Sequence, residues 1–201
     1  MKLNEYSRGF VFNAIAFHAE PSEDLHLPMK PFVFFSSSKG VLLKVDPVLE
    51  VVVCSYHLHD GPIRSLFIQG GYAVTGGEDS KLKVWPMSFN EFLLEAQHEG
   101  PVSTLYVAAG GKKLVVGTQA GTLGVLDVGN HSYFTLLRSH CGSVTSVVAK
   151  QPHFDEFATV GVDGTIRVWD ILTGLQKFEF CSKQDIPKIA VFHTQSVCIY
   201  I

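Results

Sequence analysis

Four apolar stretches of this chain close on equivalent residue pairs: Val45-Asp46, Trp85-Pro86, Leu126-Asp127 and Trp169-Asp170. Their spacings are 40, 41 and 43 residues, from 45 to 85, 85 to 126 and 126 to 169. A turn precedes each pair at a matching offset: Lys39-Gly40, Asp79-Ser80, Ala120-Gly121 and Asp163-Gly164. An opening phrase recurs as well, in His59-Asp60-Gly61-Pro62-Ile63, His98-Glu99-Gly100-Pro101-Val102 and His140-Cys141-Gly142-Ser143-Val144. The clearest copy runs from Phe157 to Asp170, two short apolar runs joined by Asp163-Gly164. Asp-Gly between alternating runs marks a hairpin, because Gly takes positive φ without steric cost. A period near 40–45 residues with four short strands per unit is the pattern of a propeller-blade array.

The predicted fold is therefore all-β: a β-propeller segment of about four blades plus the start of a fifth. Residues 1–9 are a lead-in, followed by units at 10–56, 57–96, 97–138 and 139–181 and a partial unit at 182–201. In the first unit the pattern predicts a strand over Phe10–His18, a polar loop over Ala19–Pro31, a hairpin, and an outer strand over Leu49–Tyr56. The repeat register places the locally ambiguous Phe89–Glu95 at an outer strand. Lys188–His193 echoes Asn13–His18 and opens the partial unit. Four units and a stub predict an incomplete propeller, a piece of something longer or a short form, which needs further blades or self-association to cover its sheet edges.

Composition excludes several function classes. The chain has 201 residues, 46% hydrophobic and 17% charged, enough to bury a core. A net charge of −3 argues against a dedicated nucleic-acid surface. The first residues carry no signal-peptide core, and no apolar run approaches the ~20 residues of a membrane helix. Cys54, Cys141, Cys181 and Cys198 are scattered without a Cys-x-x-Cys pair, so reduced thiols in the cytoplasm are expected.

Thr75, Asp79 and Trp85 stand at the same offsets from their turn as Thr159, Asp163 and Trp169, and His59 and His140 open the two units at the same place in the recurring phrase. This set resembles the structural tetrad of the WD40 repeat family. The resemblance implies a buried chain of hydrogen bonds from Asp through His and Thr to the Trp indole. The third unit keeps His98 but has Val116, Ala120 and Leu126 at the other positions. The first has Phe35, Lys39 and Val45. Both are expected to rely on apolar packing alone. A narrower resemblance, to centriolar and ciliary WD-repeat proteins, rests on Leu82–Met87, Leu93–Ser103, Gly121–Asp127, Arg138–His140 and Gln176–Phe180. It implies a role in centriole architecture and cilium assembly, with association to microtubules and the cytoskeleton.

Other chemistries compete for the same residues. His140, Asp163 and Thr159 have the residue types of a hydrolase triad, but the set recurs in the second unit, as a structural network does and an active site seldom does. His57 and His59 have strand spacing for a metal pair, yet no second His/Cys cluster supports zinc. Gly110-Gly111-Lys112-Lys113 lacks phosphate-loop spacing and reads as a turn, like Gly70-Gly71. The aromatic set Phe10, Phe12, Phe17, Phe32, Phe34 and Phe35 reads as packing rather than a base-stacking platform.

The expected function is a non-catalytic protein-interaction scaffold with no catalytic residue, cofactor, metal, nucleic acid or membrane. Its partners, centriolar or ciliary proteins, would dock on a rim formed by Ser38, Glu78, Gln119 and Val162. The alternatives are a hydrolase using propeller-top residues and a general cytosolic adaptor of the same family.

Overall fold

The computed structural model describes residues 9–21, 28–69, 71–108, 112–130, 132–136, 139–150, 155–181, 189–193 and 196–200. The described strands form four four-stranded sheets and one two-stranded sheet, all antiparallel between chain neighbours. No described residue is helical. The architecture is all-β and blade-like, and the chain divides into two compact units, residues 1–96 and 97–201.

The first unit holds two sheets. One is β1 (Phe12–Glu20), β2 (Lys30–Ser37), β3 (Val41–Asp46) and β4 (Val51–His57). The other is β5 (Ile63–Gln69), β6 (Tyr72–Gly77), β7 (Lys81–Pro86) and β8 (Leu94–Gln97). Phe34 and Leu42 of one sheet pack with Ile63, Ala73 and Trp85 of the other, joined by Phe32, Leu58 and Phe89. Second strands are buried on both faces: β6 is buried from Ala73 to Gly77, so it reads as a continuous small-and-apolar run rather than an alternation.

Several strand boundaries differ from the sequence reading, among them the outer strand predicted over Leu49–Tyr56, which is β4 at Val51–His57. β1 begins and ends two residues later than Phe10–His18, and Ala19 and Glu20 pair with Pro31 and Lys30, which shortens the predicted loop from both ends. Lys44 reaches Glu20 at 2.6 Å, so the acidic residue gains a partner by staying in the ladder. The outer strand predicted over Phe89–Glu95 begins only at Leu94. Phe89 instead adopts φ +53° and turns inward, because its ring finds Phe34 and Tyr56 to pack against.

The second unit repeats the plan. One sheet is β9 (Val102–Ala108), β10 (Lys113–Thr118), β11 (Leu123–Asp127) and β12 (Ser132–Leu136). The next is β13 (Val144–Ala149), β14 (Glu156–Gly161), β15 (Thr165–Asp170) and β16 (Gln176–Cys181). A hairpin of β17 (Ile189–His193) and β18 (Ser196–Tyr200) follows, with β17 against β13 and β14. Val115 and Leu123 pack with Val144, Phe157 and Trp169, the counterparts of Phe34, Leu42, Ile63, Ala73 and Trp85 in the first unit. Gly70, Gly110, Gly111, Arg138 and Lys188 lie outside the described residues.

Turn glycines lock consecutive sheets within each unit. Gly40 has φ +71°, and a Cβ there would stand 1.9 Å from the His59 carbonyl oxygen. Gly121, at φ +82°, would meet the His140 carbonyl at 2.1 Å. The carbonyls of both glycines accept the backbone N–H of the histidine concerned, His59 and His140. The second sheet turns on Ser80 at φ +64°.

Candidate functional site

The four tetrad residues of the second sheet meet. Trp85 Nε1 donates to Thr75 Oγ1 at 2.8 Å, Thr75 Oγ1 lies 2.8 Å from His59 Nε2, and His59 Nδ1 lies 2.9 Å from Asp79 Oδ2. Proton bookkeeping fixes the direction. The indole N–H only donates, so the threonine oxygen accepts it and gives its own proton to Nε2. Nδ1 then carries the proton that the Asp79 carboxylate accepts. The fourth sheet repeats the chain: Trp169 to Thr159 at 2.9 Å, Thr159 to His140 at 2.7 Å and His140 to Asp163 at 3.2 Å. Asp163 also accepts from the Cys141 N–H, the Thr165 N–H and the Thr165 hydroxyl. Burial pushes its carboxyl up, but these hydrogen bonds and the one from His140 outweigh that and hold it down at about 2. Burial pushes both His59 and His140 below the ordinary histidine value despite the carboxylate beside each, so both imidazoles are neutral at pH 7.

These contacts separate the set from a hydrolase site. Thr75 and Thr159 have no solvent exposure, and each hydroxyl is engaged by both His and Trp. A nucleophile must be reachable by substrate, and neither hydroxyl is. His57 is exposed at the end of β4, whereas His59 uses both ring nitrogens within the tetrad, which leaves none to ligate a metal. Among the described residues no group of three or more His, Cys, Asp or Glu is placed to hold a metal ion, and no helix is long and apolar enough to cross a membrane.

The first and third sheets correct the expectation of apolar packing alone. In the tetrad sheets the residue two before the turn Asp is Gly77 or Gly161. A Cβ there would meet the His Nδ1 at 2.5 or 2.4 Å. In the other two sheets that position carries a hydroxyl, Ser37 or Thr118, both fully buried. Ser37 Oγ accepts the Val41 N–H at 3.1 Å, and Thr118 Oγ1 accepts the Thr122 N–H at 3.1 Å. The equivalent N–H groups of Lys81 and Thr165 are accepted by Asp79 and Asp163. Every turn thus satisfies the same backbone donor, by Asp with a preceding Gly or by a hydroxyl without the Asp.

His98 finds a different partner, one the sequence reading missed. The Tyr133 hydroxyl lies 3.1 Å from its ring nitrogens. Tyr133 reaches it by crossing Gly124, where a Cβ would meet the hydroxyl at 2.2 Å. In the tetrad sheets the position of Gly124 holds Lys83 or Arg167. Lys83 donates to the Leu58 carbonyl at 2.9 Å and Arg167 to that of Ser139, and they pair with Glu95 and Glu179. Burial alone drives His98 down to about 4, while burial lifts Tyr133 to about 12, so the pair is uncharged at pH 7. A Gly at that offset, six residues after Thr118, was the available signal.

The aspartates of the closing pairs have a second role. Asp46, Asp127 and Asp170 each accept two backbone N–H groups of the following turn through Oδ1. Pro86 has no such group.

The rim residues occupy equivalent positions. The N–H groups of Glu78, Gln119 and Val162 donate to the carbonyls of Pro62, Pro101 and Ser143, each at 2.9 Å, while Ser38 donates to Val11 at 2.8 Å. Gln119 and Val162 are exposed, Ser38 is half-buried, and the half-buried Glu78 is paired with Arg64. The small residues of the opening phrases leave room for this register: a Cβ at Gly142 would stand 2.5 Å from the Val162 side chain.

Two of the repeats match the WD40 family. The family model described as "WD domain, G-beta repeat" matches residues 50–86 and 131–170, the stretches that carry the two Asp-containing turns. These two stretches are WD40 repeats, and the four-stranded antiparallel sheets have the build of propeller blades. It is similar to WD repeat-containing protein 90 from Mus musculus, 38% identical over 131 residues, and from Xenopus tropicalis, 39% identical over 131 residues. It is also similar to Centriole proteome protein 16 from Chlamydomonas reinhardtii, 44% identical over 109 residues. These matches cover 65%, 65% and 54% of this chain but only 7%, 7% and 5% of the respective relatives. WD40 domains mediate protein–protein interactions, and the names of these relatives describe no enzyme.

Proposed function

We propose that the chain is a non-catalytic scaffold that displays its blade rims to proteins of the centriole and the base of the cilium, with association to microtubules. The observation that carries the centriolar part is the similarity to a protein named for the centriole proteome, at 44% identity over 109 residues. The rigid turns support the scaffold part. Each rim residue is held by the same backbone hydrogen bond, while buried polar groups fix the turn beneath it. Such a surface binds through pre-ordered loops rather than through chemistry on a substrate. The tetrads serve as the structural supports of that rim, and Ser38, Glu78, Gln119 and Val162 are its contact residues.

The test is proximity labelling from the tagged chain in ciliated cells, paired with microscopy. The expected outcome is centriolar signal, with labelling of centriolar proteins reduced by the rim substitutions Gln119→Arg and Val162→Asp. Diffuse cytosolic signal with unchanged labelling sinks the centriolar reading in favour of a general adaptor. Turnover of hydrolase substrates, abolished by Asp163→Ala in folded protein, sinks the scaffold reading.

A further inference from the structure

The second sheet departs from its neighbours at the connection between its last two strands. The other three sheets cap that connection with Asp46, Asp127 or Asp170, whereas here Pro86 stands in the place of the aspartate. Without the cap the chain makes a longer excursion from Met87 to Leu93. Phe89 anchors it: its N–H donates to the Pro86 carbonyl at 3.0 Å, and its ring lies 4.7 Å from Tyr56 and 6.0 Å from Phe34. The excursion rejoins the sheet through Leu93, whose N–H donates to Val84 at 2.7 Å. Between these fixed points Asn90, Glu91 and Phe92 stand out as one wall of a cavity of about 610 Å³. His57, Asp60, Lys83 and Trp85 also line the space.

The charges of this cavity are unevenly spent. Lys83 is committed to the Leu58 carbonyl at 2.9 Å and to Glu95 at 3.6 Å, and it lies over the rings of Trp85 and Phe92. Glu95 is shared with Lys81. Asp60 and Glu91 are exposed and make no hydrogen bond or ion pair with any described residue. The lining carries these two carboxylates against one ammonium. Phe92 is held edge-on to Trp85, with ring centroids 5.9 Å apart, yet 49% of it remains exposed. Two unspent carboxylates beside a positioned aromatic face match one side chain best. A guanidinium stacks on an aromatic ring and donates to carboxylates from its edge.

We propose that this groove receives an arginine-bearing extended segment of a partner protein, with Asp60 and Glu91 as acceptors and Phe92 as the stacking face. The proposal rests on the scaffold reading and supplies it with a partner chemistry at a site that none of the four rim residues lines. The groove is assayed by direct titration and the centriolar role by localisation, so either can fail alone.

The experiment titrates the whole chain against a short fluorescein-labelled glycine–serine peptide containing two arginines, followed by anisotropy. The expected result is saturable binding that weakens about tenfold when citrulline replaces arginine, and about tenfold in the Asp60→Asn, Glu91→Gln double variant. Phe92→Ala weakens it about threefold, and Glu99→Gln, an exposed carboxylate outside the groove, leaves it unchanged. Equal binding of the citrulline peptide, equal weakening by Glu99→Gln, or no saturable binding overturns the proposal. Self-association in sedimentation that Phe92→Ala abolishes, with no arginine preference, assigns the groove to a second copy and overturns it too.

Discussion

The two Asp-bearing turns and the two hydroxyl-bearing turns solve one problem in different ways. Each must satisfy the backbone N–H two residues beyond the turn position, and each must leave room for the side chain behind it. At Asp79 and Asp163 the carboxylate accepts that N–H and also holds a buried histidine, so the residue two before it is a glycine. At Lys39 and Ala120 a buried Ser37 or Thr118 hydroxyl accepts it, and no histidine needs the space. In each unit a hydroxyl-turn blade is followed by an Asp-turn blade, and the glycine of the former abuts the histidine backbone of the latter. The difference teaches that the polar groups of a blade act as a set. Gly with Asp, or hydroxyl without Asp, are coherent; mixtures are not.

Mixing the two solutions gives the largest expected effect. Gly161→Ser puts a hydroxyl turn into an Asp blade, where its Cβ meets His140 Nδ1 at 2.4 Å. A loss of about 3 kcal/mol or more is expected from urea unfolding, since backbone and ring must both shift. The reverse exchange, Thr118→Gly, costs about 1–2 kcal/mol, because it leaves the Thr122 N–H without its acceptor. If the two changes cost the same, the sets are not coupled.

Next is Asp163→Ala, which strips an acceptor from His140, Thr165 and the Cys141 N–H and costs about 1–3 kcal/mol. Ala120→Ser at the equivalent position changes the unfolding free energy by less than about 0.5 kcal/mol, because no donor there awaits it. An unchanged midpoint for Asp163→Ala removes the buried-network account.

Acid tests the histidines together. Burial lowers His59, His98 and His140 in the folded state, so the unfolded chain binds more protons below the ordinary value of about 6.5. Stability is therefore full above that pH and falls as pH drops below it, by at most about 1.4 kcal/mol per pH unit for each histidine. For His98 the loss continues down to its folded value of about 4. The lowered Asp163 adds a loss of the same sign, but only below its unfolded value of about 3.8, on the way down to about 2. Replacing His98 with Gln removes its share of the slope between pH 6.5 and 4. Among the changes that remove a hydrogen bond the smallest effect is Tyr133→Phe, which deletes one hydroxyl, costs about 1 kcal/mol and raises the His98 value measured by NMR if a freed ring gains water.

Much of this was legible in the chain. Repeated apolar runs with turn residues between them write out strands one at a time, because side-chain alternation and positive φ are local properties of the backbone. The period therefore determined four blades. The matching offsets of Thr, Asp and Trp, with a His in each opening phrase, gave a tetrad whose members the fold brings within hydrogen-bond reach. What is local stopped there. Tyr133 lies 35 residues from His98, and nothing near either predicts that one passes over Gly124 to reach the other. Ser37 and Thr118 read as ordinary strand residues until the missing aspartates show what they replace. Phe89 reads as the beginning of an outer strand until Phe34 and Tyr56 offer its ring a better place. Sequence alone determined the strands, the turns and the family resemblance, since each depends on neighbours a few residues apart. Only the tertiary structure decided how each buried donor is satisfied and where a groove opens, because those depend on which distant side chains come to share one dry space.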